Sequence, residues 1–157
     1  MAKRKQPRRL AGSGHDRLSR EMPCFVCSTN RPCLGKNGQT LESLMFKNHC
    51  AAMWEYPIEC TKKVRILSHI QRVEPGNLVF MFAAGHILRV GIATHHCDGP
   101  LVPGNARRIR SDEWGDTEWQ VRVRWLPVDL EQPCQFPGWN ATFYELKGPT
   151  WADRLND

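Results

Sequence analysis

The stretch Pro75-Gly-Asn-Leu-Val-Phe-Met-Phe-Ala-Ala-Gly-His-Ile-Leu-Arg-Val-Gly-Ile-Ala-Thr94 decides the reading of this chain. Pro75-Gly76-Asn77 is a turn cluster, and Leu78 to Ala83 is a short apolar run bounded by turn residues. Ala84-Gly85-His86 is a connection in which Gly85 supplies positive φ, and Ile87 to Thr94 is a second, β-branched run. Together they predict a β-hairpin. Gly91 interrupts the second run, which points to a bulge or to a close approach of neighbouring atoms to its backbone.

Working outward, Glu118 to Val128 alternates Val121, Val123 and Trp125 with Arg122 and Arg124, the pattern of a strand with one wet, basic face. Asn140 to Leu146 is read as a last strand after a turn over Pro133 to Gly138, and Asp98 to Arg110 as a Pro/Gly-rich loop suited to a binding rim. Cys60 to Arg72 places Val64, Leu67 and Ile70 on one face, a short amphipathic helix. Thr40 to His49 is read first as a strand ending at Asn48. A helix over Leu41 to Trp54 capped by Thr40 is the alternative, because Leu41, Leu44, Met45 and Ala52 roughly follow a 3.6 period.

The 157 residues suit one domain with tails, and the net charge of +6 is unevenly distributed. Residues 1–20 hold seven basic side chains against Asp16 alone, while everything from Glu21 onward is balanced. This arm, with Lys3, Arg4, Lys5, Arg8 and Arg9, has no apolar periodicity and is expected to be disordered in isolation and to contact phosphates of a nucleic acid. Lys3-Arg4-Lys5 with Arg8-Arg9 also passes for a weak nuclear signal. No apolar run approaches the roughly 18 residues of a membrane span, and no hydrophobic segment follows the basic residues, so a cytoplasmic location is expected.

Seven cysteines, an odd number without a secretory signal, argue for reduced thiols. Cys24-Phe-Val-Cys27 and Cys33, within a segment 21–39 read as a cysteine-rich loop, have the look of half a zinc knuckle. His15, His49 or Cys50 would supply the fourth ligand, giving one structural zinc on Cys24, Cys27, Cys33 and, as first choice, His49. A short apolar Cys-Phe-Val-Cys strand is the competing explanation. His95-His96-Cys97-Asp98 is read as strand-end loop residues, since adjacent strand side chains diverge. No protease, hydrolase, Walker or dinucleotide motif occurs.

The turn, Leu-Val-Phe-Met-Phe, the small-Gly connection and Val-Gly-Ile-Ala, followed by Trp119-Gln-Val-Arg-Val-Arg-Trp125, resemble the PUA-like group of small barrels, nearest the EVE and YTH domains. The resemblance covers roughly Leu41 to Leu146 within a domain spanning 40–157. It implies an α+β fold, a twisted β-barrel flanked by short helices, with a pocket for one modified nucleobase between aromatic side chains. On the matching positions that pocket would use Trp54 and Trp114, with Trp119 competing for the second place and Asn48 nearby. Six tryptophans in the chain, two in or beside arginine-bearing loops, suit the stacking of a splayed-out base. Arg107, Arg108 and Arg110 are expected to join the arm on phosphates.

The reading is therefore a nucleic-acid-binding protein that recognises a modified or flipped base. Two alternatives stand beside it. One is an enzyme acting on a nucleobase, with His86, His95 or Glu55 as candidates. The other is a protein-binding accessory, such as a phage or bacterial defence-related factor docking on a nucleic-acid machine.

Overall fold

The computed structural model describes residues 23–29, 35–55, 67–127, 132–133 and 143–146. Eight strands run through them: β1 (Cys24–Thr29), β2 (Cys50–Glu55), β3 (Leu78–Ala83), β4 (His86–Ala93), β5 (Asp98–Leu101), β6 (Thr117–Trp125), β7 (Gln132–Pro133) and β8 (Phe143–Leu146). The sheet order is β2-β6-β4-β3-β1-β8, with β5 pairing β6 and β7 pairing β4. Only β1 and β3 run parallel; the other pairs are antiparallel. Helix α1 (Leu41–Lys47) and a second helix whose described part is 67–71 complete a mixed α+β domain. None of the described helices is long and apolar enough to cross a membrane.

The predicted hairpin forms as β3 and β4. Ala84 (φ 49°) and Gly85 (φ 81°) are its two turn residues, both left-handed as a twist-matched hairpin turn requires, and His86 already pairs with Ala83. The ladder slips at Met81/Phe82 rather than at Gly91. Gly91 answers the other expectation, close approach. A Cβ there would run into Val123 Cγ1, lie 2.7 Å from Trp125 Cε3 and 3.0 Å from the Arg124 carbonyl. A side chain would therefore wedge β4 from β6.

The sheet is curled into a half-barrel. β1 and β2 are separated by β6, β4 and β3, about 19 Å across a flat sheet at some 4.8 Å per strand. Yet Cys27 Sγ donates to the Ala52 carbonyl at 3.3 Å. Bending brings both ends over one core, where Phe25, Met45, Met53, Val79, Val121 and Phe143 pack together. Trp125 closes that core and donates its indole N–H to the Met45 carbonyl at 3.1 Å. On the opposite face of β1 and β3, Cys24, Val26, Phe80, Phe82 and Ile87 form a second apolar cluster. Being covered on both faces explains why these strands read as continuous apolar runs.

Two expectations are corrected. Thr40 to His49 is not a strand: its hydroxyl accepts the Ser43 N–H at 3.3 Å and starts α1, which buries Leu41, Leu44 and Met45. Residues 24–29 are not a loop outside the domain but an inner strand, hydrogen-bonded to β3 on one side and β8 on the other. The tail of the chain, the arm 1–20 and residues 56–66 lie outside the described residues.

Candidate functional site

The site is built on β6. Its odd-numbered residues Val121, Val123 and Trp125 enter the core, so Glu118, Gln120, Arg122 and Arg124 share the other face. After β5 the chain turns at 102–106 and returns across the start of that face. Glu118, fully buried, holds the returning strand of chain: its carboxylate accepts the Ile109 N–H at 3.1 and 3.2 Å and the Arg110 N–H at 3.1 Å. Gln120 ties in the chain two residues before Ile109 by donating to the Arg107 carbonyl at 2.8 Å. A buried carboxylate is tolerated only with such partners.

Arg108 turns inward. Its guanidinium is fully buried, donating to the carbonyls of Leu101 (2.8 Å) and Asp116 (2.7 Å) and pairing with the carboxylates of Asp116 (3.1 Å) and Asp112 (3.0 Å). This corrects the expectation that it binds phosphate: the carboxylates of Asp112 and Asp116 already neutralise it.

Arg110 lies beside it, with Nε 3.0 Å from Asp116 Oδ2 but poorly aligned for a directed hydrogen bond, so charge holds the pair. Its guanidinium carbon is 4.9 Å from the Trp54 ring and 4.6 Å from the Trp114 ring. Trp54 pairs across the strands with Glu118 and so lies under the returning loop, almost wholly buried; Trp114 is 56% exposed. The structure thus brings the two expected base-binding tryptophans to one arginine, but that arginine, not a void, lies against both rings. The Trp54 indole N–H finds no acceptor among the described residues. Trp119, the rival, is half-buried against the core.

Farther along the same face of β6 a cleft of about 530 Å³ opens. Gln120, Arg122 and Arg124 form its floor with Val123. Asn48, His49 and Cys50, where α1 passes into β2, form one wall, and Thr94 and His95, following β4, form the other; Arg107 closes one end. None of these lining residues is acidic. Arg107 is paired with Asp98, while Arg122 and Arg124 are exposed. Asn48 caps α1, its amide donating to the Leu44 carbonyl at 2.8 Å. His49 follows with φ 52°, a left-handed position usually given to glycine.

The remaining expected residues are scattered. Cys24 and Cys27, three apart on a strand, enter the two separate apolar clusters on opposite faces of β1, so the strand does not present them to one ion. Burial pushes the Cys24 thiol up to about 11 and that of Cys27 up to about 12, disfavouring the thiolate a metal needs. His49 lies in the cleft, away from both in burial: exposed where they are buried. Cys33 and the arm residues Lys3, Arg4, Lys5, Arg8 and Arg9 lie outside the described residues. His86 begins β4 just after the hairpin turn, with Nδ1 3.0 Å from the Ala84 carbonyl. Sequence reasoning missed Glu118, Asp116 and Gln120 altogether. It saw Arg122 and Arg124 as a wet face but did not place them in a site; their alternation was the available signal.

No protein-family model matches the sequence, and a search of curated proteins finds no match.

Proposed function

We propose that this chain is a nucleic-acid-binding module of the PUA-like kind, with its cleft on the phosphate backbone. One observation carries the reading: three arginines and two histidines line a nucleotide-sized cleft that has no carboxylate among its lining residues. Pockets for small ligands run from about 300 to 1,000 Å³, and polyanions are drawn to positive surfaces such as the one Arg122 and Arg124 present here. Arg122 and Arg124 stand two residues apart on one strand face, about 7 Å of backbone, which matches the spacing of successive phosphates.

The base-binding part of the reading takes a specific form. With Arg110 against both rings, a base does not enter between Trp54 and Trp114; it stacks on the open face of Trp114, which Arg110 braces from within. Stacking tolerates any base, so preference for a modified one must come from polar groups around the Trp114 ring. The basic arm adds affinity that is indifferent to sequence.

Fluorescence anisotropy with modified and unmodified oligonucleotides over a salt series tests this. Arg122→Ala and Arg124→Ala should weaken every ligand and shrink the slope of log K against log salt by about 0.7–0.9 for each lost contact. Trp114→Ala should remove roughly 1–3 kcal/mol from the preferred ligand. Wild-type affinity and salt dependence in the double arginine variant would sink the proposal.

A further inference from the structure

We infer that the cleft also cleaves single-stranded RNA without metal, using His49 and His95 as an acid–base pair. The inference rests on the nucleic-acid reading above and adds a reaction to it. Imidazole is the side chain suited both to take and to give a proton near neutral pH, and here two of them stand among arginines.

Their spacing follows from the strand register. Val123 N–H donates to the His49 carbonyl at 2.8 Å on one side of β6, and Thr94 N–H donates to the Arg122 carbonyl at 2.8 Å on the other. His49 and the Thr94-His95 pair therefore straddle one strand, two interstrand steps apart, about 10 Å between backbones. Both residues line the cleft, and that separation between the two walls is wide enough for one phosphodiester to sit between their side chains, over the Arg122 floor.

The two rings are not equivalent. Thr94 Oγ1 lies 3.3 Å from the Arg122 carbonyl, to which it donates, and 2.9 Å from His95 Nδ1. With the hydroxyl proton committed to that carbonyl, Nδ1–H of His95 is the donor to Thr94, which leaves Nε2 as the acceptor. This is the arrangement of a base oriented by a third group. His49 occupies a left-handed backbone position at φ 52°, a conformation that costs a non-glycine residue energy and recurs at functional sites.

The step balances with the groups present. His95 Nε2 takes the proton of a ribose 2′-hydroxyl, whose oxygen attacks the adjacent phosphorus. The bond from phosphorus to the 5′-oxygen breaks, and His49, protonated, gives its proton to that leaving oxygen. One product ends in a 2′,3′-cyclic phosphate and the other in a 5′-hydroxyl. The arginines hold the phosphoryl oxygens as charge builds on them. Exchange with water resets both rings, and no oxidant, reductant or metal takes part. Thr94 is a positioning residue.

The test incubates full-length protein with an end-labelled single-stranded RNA in excess EDTA, with the DNA of the same sequence alongside. Expected are cleavage of RNA only, cyclic-phosphate and 5′-hydroxyl ends, and protection of any position carrying a single 2′-deoxy substitution. His95→Ala, and His49→Asn, which tolerates the left-handed backbone, should each lower kcat roughly 10²–10⁴-fold, far more than either lowers affinity for the DNA oligonucleotide. Thr94→Val should lower kcat with KM unchanged and displace the pH–rate profile. RNA that is bound but left intact, or cleavage that survives in His95→Ala purified in the same way, overturns the inference and leaves the binding reading standing. Failure to bind either oligonucleotide overturns both.

Discussion

Glu118 accepts the backbone N–H of Arg110 at 3.1 Å from a carboxylate that is itself fully buried. Through this contact and its bonds to Ile109, one side chain fastens the returning loop to the sheet, and with it the positions of Arg107 beside the cleft and Arg110 beneath Trp114.

Glu118→Ala should therefore loosen the loop before it unfolds the domain. Two buried N–H groups lose their acceptor, each at about 1–3 kcal/mol. Hydrogen exchange should accelerate at the Ile109 and Arg110 amides, with little change across β3 and β4. Unchanged protection at those two amides would contradict the role given to Glu118.

The arginines should divide by burial. Arg108→Ala leaves the buried carboxylate of Asp116 with Arg110 as its one remaining cation among the described residues and leaves two carbonyls without that donor, and removing one partner of such a buried pair costs about 3–5 kcal/mol. Arg124→Ala, at an exposed position, should change stability by no more than about 0.5 kcal/mol. Urea denaturation of the two variants distinguishes them, and equal losses would mean that Arg108 is not the structural cation described.

At Gly91 the prediction concerns space. Gly91→Ala forces a methyl against Val123 and Trp125 between β4 and β6, and overpacking of this kind costs about 1–3 kcal/mol. A variant with the parent's midpoint in urea would show that the two strands can separate without loss.

The thiols make a pH prediction. Burial raises Cys27 and Cys50 from the ordinary 9.0 to about 12. Between those values the unfolded chain has lost protons that the folded chain keeps. The stability they contribute is therefore complete below pH 9.0 and is lost as pH rises towards about 12. Urea midpoints should fall over that interval, less steeply in Cys27→Ala. At neutral pH, Cys24, Cys27 and Cys50 should resist alkylation until the protein unfolds; prompt reaction of all three would contradict their burial.

The hairpin was legible because its information is local. Ala84-Gly85 sets the turn and the flanking apolar runs set the strands, so neighbours in sequence suffice. The alternation of Val121, Val123 and Trp125 with Arg122 and Arg124 likewise sorted β6 into a core face and a wet face. The Thr40 segment was ambiguous because a seven-residue helix carries barely two turns of periodicity, and its cap competes with a strand reading of the same apolar residues.

By itself, the sequence determined the hairpin, the faces of β6 and the concentration of positive charge in residues 1–20, while the choice between a bulge and a close approach at Gly91 was left to tertiary structure. Which cations remain available to a ligand was decided by tertiary structure alone. Arg108 and Arg122 look alike in sequence, but the first meets Asp112 and Asp116 in the interior while the second faces the cleft. The same holds for Cys24 and Cys27, whose spacing suits a shared ion in a loop and opposite faces in a strand. The physical reason is that availability depends on partners supplied by distant parts of the chain. A guanidinium or thiol is committed or free according to what the curled sheet brings against it, and no local pattern encodes that.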